Sequence, residues 1–392
     1  MAINSCCLLL VIVSVIWSTN SLCASYNIDP IEYEESPTSH WTMNGIAYVG
    51  GKLCNNIPLT HMTAHNAIDT IVFTGANWIQ LVVTQYQKNI NSTFIYPTND
   101  TDTDDEFISA ISYAGMRDLG IMISPRLELE DDPGRTPEEI GTFFREADWV
   151  DWFGNYSQMV FHYASMLGDV PILVSLGSGL EATSWRDAEW RNLTKKARDK
   201  YPRWSLTYSA NSCGEESNIT WWDAVDFIGV NAHYNIPRYG HDSYRDYKFV
   251  DNQIKFWNNI VYVGRSFEPG CYMTKSLFDL KNKYNKPILF TEIGFCSGLQ
   301  QGRKCLNQSI DLQFQDASFK AFFRVFLLQD WFYGAFIWHW VPDPNIGGPE
   351  DWNYTPRRKP AENVVKYHYG GFGFATEFTH GHILHCNTSS LI

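Results

Sequence analysis

From Gly45 onward, short apolar runs alternate with longer amphipathic stretches. The runs GIAYV (45–49), WIQLVV (78–83), IMIS (121–124) and ILVSL (172–176) predict strands. SLTYSA (205–210), FIGVNA (227–232), ILFTE (288–292) and FYGAFIW (332–338) continue the series. Between them the apolar spacing predicts helices over 104–119, 149–167, 187–201, 273–284 and 310–328. Near-continuous apolar strands separated by helices indicate parallel strands buried on both faces. Eight such units in one chain match a single-domain α/β fold, the (β/α)8 TIM barrel. An open doubly wound sheet has a similar pattern, but it ordinarily carries a glycine-rich phosphate loop after its first strand. GIAYVGGKLC lacks that G-x-G-x-x-G spacing. The expected organisation is a leader over 1–24, an extension over 25–44, the barrel over 45–369 and a tail over 370–392.

In a barrel the chemistry lies at the C-terminal strand ends. The third strand ends in Ser124-Pro125-Arg126 and runs on to Glu128, the fourth in Ser178-Gly179, with Glu181 beyond. The fifth carries Tyr208 and Asn211, the sixth Asn231, His233 and Tyr234, the seventh Glu292, and the eighth Trp338, His339 and Trp340. Glu292 ends the apolar run KPILFTE and is followed by Ile-Gly, where a substrate would meet it.

The segments KPILFTEIGF, WWDAVDFIGVNAHY, LTYSAN and GANWIQLVVTQYQ, with the closing run HWVPDPNIGGPEDWNYTPRRKPAENVV, resemble family 113 of the glycoside hydrolases. The likeness covers residues 45–369. It implies a (β/α)8 fold and retaining hydrolysis of β-mannan, with Glu292 as nucleophile. The family's acid/base is the Glu of a motif like S-I-G-T-E-L-x-x-T. Over SLGSGLEAT, the residues Ser175, Leu176, Gly177, Leu180 and Thr183 match, and the catalytic Glu falls on Gly179. Ser124-Pro125-Arg126 stands where the family tends to show Lys-Pro-His, and Asn231-Ala232-His233-Tyr234 where Asp-Ala-Tyr is common. His233 either hydrogen-bonds Glu292 or is a satisfied rim histidine.

Retaining hydrolysis needs two carboxyl groups about 5 Å apart, and acid–base help is worth about 10²–10⁴-fold. Glycine supplies none of it. Glu181, two residues on, lies about 6–7 Å further along a continued strand, so it is a poor substitute unless the loop folds back. Candidate substrate contacts are Trp78, Arg126, Asn211, Asn231, His233, Tyr234, Trp338 and Trp340. The last two share strand parity, so that pair would present one face to a sugar.

Composition narrows the partners. Aromatic residues make up 15% of the chain, which fills a core and supplies sugar-stacking surfaces. A net charge of −13 argues against nucleic acid. The acidic stretch 97–106 reads as a solvated loop capping the next helix rather than a calcium loop. The tail HGHILHC (380–386) offers three His and a Cys, but an oxidising compartment favours a disulfide at Cys386; no metal and no cofactor is expected.

The first 24 residues hold no charged side chain, carry an apolar core and end in small residues, as a signal peptide does; no membrane insertion is expected. Six cysteines follow, Cys54, Cys213, Cys271, Cys296, Cys305 and Cys386, an even count that suggests disulfides. Cys296 and Cys305 flank a short loop and are the first pair expected. Eight sequons, at Asn91, Asn99, Asn155, Asn192, Asn218, Asn307, Asn353 and Asn387, suggest a glycosylated, secreted, extracellular protein.

Three readings therefore stand. One is a secreted glycosidase with weak or altered acid catalysis. The second is a carbohydrate-binding pseudoenzyme with an oligo- or polysaccharide ligand, and the third a barrel that serves only as a scaffold. Expression in a secreting eukaryotic cell should yield a mature chain starting near Ser25 whose gel mobility rises on deglycosylation. A retained Met1 or an unchanged mobility contradicts this.

Overall fold

The computed structural model describes residues 41–371 apart from 53–55, 144, 168–171, 235, 237–246, 259–272 and 302–303. The segments expected to form a leader, an extension and a tail, and with them Cys54, Cys271, Cys386 and Asn387, fall almost wholly outside the described residues. Each apolar run forms a strand: β1 (Met43–Val49), β2 (Trp78–Gln87), β3 (Gly120–Leu129), β4 (Ile172–Ser178), β5 (Ser205–Asn211), β6 (Ile228–Ala232) and β7 (Ile288–Ile293). A hairpin of β8 (Leu299–Gln301) and β9 (Lys304–Leu306) follows, then β10 (Phe332–Trp340). The eight long strands close in the order β1-β10-β7-β6-β5-β4-β3-β2, so the sheet is a barrel and not an open one.

Alternation along each strand builds two layers. Met43, Met122, Leu173, Phe227, Leu289 and Phe336 meet inside as a plug toward the N-terminal strand ends. The ring of Phe336 lies so near Gly45 that a Cβ there would stand 2.2 Å from it; only glycine fits. Outward-facing neighbours such as Ile121, Ile123, Leu206 and Phe290 pack with the helices in the main core. The expected helices form at Asp104–Gly115, Glu146–Ala164, Asp187–Lys200, Met273–Tyr284 and Leu312–Phe326. Three longer ones, Met62–Val72, Tyr247–Asn258 and Pro360–Tyr369, and the single turn Glu215–Asn218 were not predicted. The first is capped by the imidazole of His61, which accepts from Thr63 N, rather than by a common capping residue.

The acidic stretch does cap its helix, through a Thr103–Glu106 capping box. It is not wholly solvated, however. Asp102 is buried, accepts from the backbone N–H of Lys52, and burial pushes its carboxyl up to about 6.

Two ties fix the loops that rim the C-terminal face. The Cys296–Cys305 disulfide joins the end of β7 to the hairpin, as expected; Cys213 is also disulfide-bonded. Lys359, its side chain fully sealed, donates to Ser297 Oγ (2.9 Å), Asp351 Oδ1 (3.0 Å) and Asn353 O (3.0 Å). That ammonium anchors the long segment after β10 to the segment after β7. Among the described residues no helix is long and apolar enough to cross a membrane, and no group of His, Cys, Asp and Glu could hold a metal ion.

Burial lowers two histidines, His339 to about 4 and His368, stacked on Phe323 at 4.2 Å, to about 3. Both are neutral when folded and near 6.5 when unfolded, so their contribution is present above about pH 6.5 and is lost as pH falls toward 4 and 3. Thermal unfolding between pH 7 and 4 should show this slope, reduced in His368→Phe. An unchanged slope in that variant removes His368 from the groups responsible.

Candidate active site

The site is built where alternation breaks. β6 pairs Val230 with Phe290 but Asn231 with Glu292, so β7 holds one extra residue. Strict alternation would put Glu292 on the outer side with Phe290. The bulge turns it into the barrel mouth. There it is 3% exposed, and His233 Nε2 lies 2.8 Å from its Oε2. With Glu292 ionised, that nitrogen is the donor. Arg126 Nη2, reaching across from β3, lies 3.9 Å from the other oxygen, Oε1.

Aromatic rings frame these three groups. The Arg126 guanidinium sits 5.1 Å over Trp338, and His233 packs 4.9 Å from the Tyr354 ring and 6.2 Å from Trp338. Beneath lies a polar belt: Thr291 Oγ1 donates to Asn231 Oδ1 (2.9 Å), and Asn231 Nδ2 donates to Ser178 Oγ (3.1 Å). Ser175 and Ser209 hydroxyls meet at 2.8 Å.

The tip of β4 is stitched to β5. Gly179 N donates to Ser209 O (2.9 Å) and Leu180 N to the Tyr208 hydroxyl (3.0 Å), which in turn donates to Glu215. Gly179 has φ +61°, the left-handed region, and a Cβ there would stand 2.9 Å from Asn211 Oδ1. The amide of Asn211 thus covers Gly179, and its Nδ2 is buried without a partner among the described residues. Glu181 begins a short 3₁₀ turn (Glu181–Thr183) and is exposed. The loop does not fold back to bring it in.

Arg126, Asn211, Asn231, His233, Glu292 and Trp338 therefore converge at the C-terminal face. Three predicted contacts do not. Trp78 opens β2, so it stands at the opposite end, packed on Gly120 beside the plug. Tyr234 is 3% exposed in the outer core, edge-on to Trp257 at 5.2 Å; burial drives its hydroxyl well above the usual value. Trp340 is fully buried in the main core. Its shared parity with Trp338 fails because β1 pairs Ile46 with Ile337 but Tyr48 with Trp340, leaving an extra residue on β10. The sequence reading also passed over Tyr354 and the orientation of Glu128. Of these only Glu128, on the parity of Arg126, carried a readable signal. Burial raises the Glu128 carboxyl above its ordinary value, partly opposed by Arg126.

Comparison with known proteins completes the picture. A structure described as a complex of a GH113 β-1,4-mannanase superposes with a TM-score of 0.68 at 21% identity, covering 84% of this chain and 98% of that one. The GH113 β-mannanase AaManA of Alicyclobacillus acidocaldarius, in complex with ManMIm, gives a TM-score of 0.67 at 23% identity, covering 84% and 97%. A β-D-glucuronidase of Dictyoglomus thermophilum matches at 0.53 and 14% identity, covering 86% of this chain and 51% of its own. No curated protein matches. The model of Glycoside Hydrolase Family 113 matches residues 53–347, most of the barrel, and the chain belongs to that family.

Proposed function

We propose that the protein is a secreted family 113 glycosidase acting on β-1,4-linked mannose chains, with Glu292 as nucleophile and weak or altered acid catalysis. One observation carries this reading. Glu292 is desolvated at the mouth between His233 and Arg126, while the place of the usual acid/base holds only Gly179 under the Asn211 amide. A carboxylate so buried costs free energy unless paired, which speaks for a use in binding and attack rather than for a scaffold. The extracellular setting rests on the leader, the sequons and the disulfides.

Chemistry follows from the asymmetry. Glu292 attacks the anomeric carbon, and His233 orients it by holding one oxygen. Arg126, held over the Trp338 ring, balances its charge. A natural linkage needs its leaving oxygen protonated; a dinitrophenyl leaving group does not. A dinitrophenyl mannoside should therefore form a glycosyl-enzyme on Glu292, seen by mass, and azide should release it as a glycosyl azide of retained configuration. Glu292→Gln should abolish this. Gly179→Glu alone should restore little, because a side chain at φ +61° costs roughly 1–2 kcal/mol and presses on Asn211. Trp338→Ala should weaken oligosaccharide binding by about 1–3 kcal/mol while unfolding stays cooperative.

A second reading, a carbohydrate-binding protein without turnover, is favoured by the same covered Gly179. Binding of mannooligosaccharide with no reaction of the activated glycoside selects it. Absence of both binding and reaction overturns the assignment altogether.

A further inference from the structure

We infer that Glu128 is the proton donor and acceptor of this site, having taken over from the vacated position 179 on the neighbouring strand; the inference rests on Glu292 being the nucleophile.

Register carries the argument. β3 pairs Ile121, Met122 and Ile123 with Ile172, Leu173 and Val174 of β4. Continued upward, the same offset sets Arg126 beside Gly177 and Glu128 beside Gly179, one strand away at about 4.8 Å. A bulge in β4 between Ser175 and Ser178 shifts this by one residue at most. Glu128 therefore stands at the height of the missing carboxyl.

It also faces the right way. β3 pairs with β2 without a break from Trp78–Gly120 to Gln87–Leu129, so strict alternation holds along its whole length. Met122 points into the barrel plug, whereas Ile121, Ile123 and Leu127 pack outward. Arg126, on the parity of Met122, reaches Glu292 across the mouth. Glu128 shares that parity.

Its chemistry suits the role. Glu128 is half-buried and makes no hydrogen bond or ion pair among the described residues, so it has no evident structural duty. Burial keeps the proton on it to higher pH than an ordinary carboxyl. Glu181, by contrast, is exposed and lies beyond the rim.

In the first step the glycosidic oxygen takes the Glu128 proton as the bond from C1 to that oxygen breaks and its electron pair stays with the oxygen. A Glu292 oxygen bonds to C1, giving the ester. In the second step Glu128, now a carboxylate, takes a proton from water while the water oxygen bonds to C1. The ester electron pair returns to Glu292.

The experiment compares wild type, Glu128→Gln, Glu128→Asp and Glu181→Gln on a mannooligosaccharide and on a dinitrophenyl mannoside, across pH, with thermal unfolding as the folding control. Glu128→Gln should lower oligosaccharide kcat/KM by at least about 100-fold and remove the alkaline limb of the profile. It should leave the rate at which the activated glycoside labels Glu292 unchanged and lengthen the lifetime of the label, because no base then activates water. Glu128→Asp should retain part of the activity, and Glu181→Gln all of it. Oligosaccharide hydrolysis that survives Glu128→Gln overturns the inference. So does an equal loss on both substrates, the mark of a merely structural role. Wild type that labels Glu292 but leaves the oligosaccharide intact also overturns it, and spares the nucleophile. Failure of the activated glycoside to label Glu292 instead fells the reading beneath.

Discussion

Closing eight parallel strands imposes a two-sided alternation on every one of them, and the site exists because that alternation is locally broken. In β7 the extra residue beside Glu292 converts an outward position into an inward one. The hydrogen bond from His233 then holds the carboxylate where the barrel opens. Everything else at the mouth is arranged around that charge. Arg126 answers it from the far wall, Trp338 and Tyr354 exclude water beside it, and the Thr291–Asn231–Ser178 chain supports it from below.

The strand ends on the acid side follow a different logic. β4 also carries a bulge, but there the chain is turned back and stitched to β5 through Gly179, Leu180 and Tyr208. A side chain at 179 has neither a comfortable backbone nor free space. The change is thus more than the deletion of one carboxylate. The neighbourhood has settled into a shape that no longer expects it, with the Asn211 amide lying over the gap. β3, by contrast, runs without irregularity, and its regularity makes Glu128 the natural heir to the position.

How much of this the sequence disclosed depends on how local each cause is. The strands were legible because apolar runs between helical stretches have few other uses, and Glu292 because a carboxylate ending such a run is costly without a task. Its bond to His233 was one of two open readings, settled only by the fold. Trp340 was misread because one inserted residue in β10 exchanges inside for outside, and nothing in FYGAFIWHW marks where that residue falls. Trp78 was misread by end rather than by face: it begins its strand, and the substrate lies where strands finish. Tyr234 follows β6, but its ring turns outward onto Trp257, a packing partner over twenty residues away that no pattern announces. Glu128 could have been found earlier, by extending the strict alternation of its strand two residues beyond Arg126.

Lys359 has a consequence of a practical kind. Its ammonium is wholly enclosed between the segments that follow β7 and β10, and burial together with its ties to Asp351, Ser297 and Asn353 accounts for its place. Reagents that acylate amines in folded protein meet only lysines that water can reach. The anchor of the mouth is therefore invisible to them, so the molecule can be biotinylated or coupled to a surface through its outer lysines without loosening the rim.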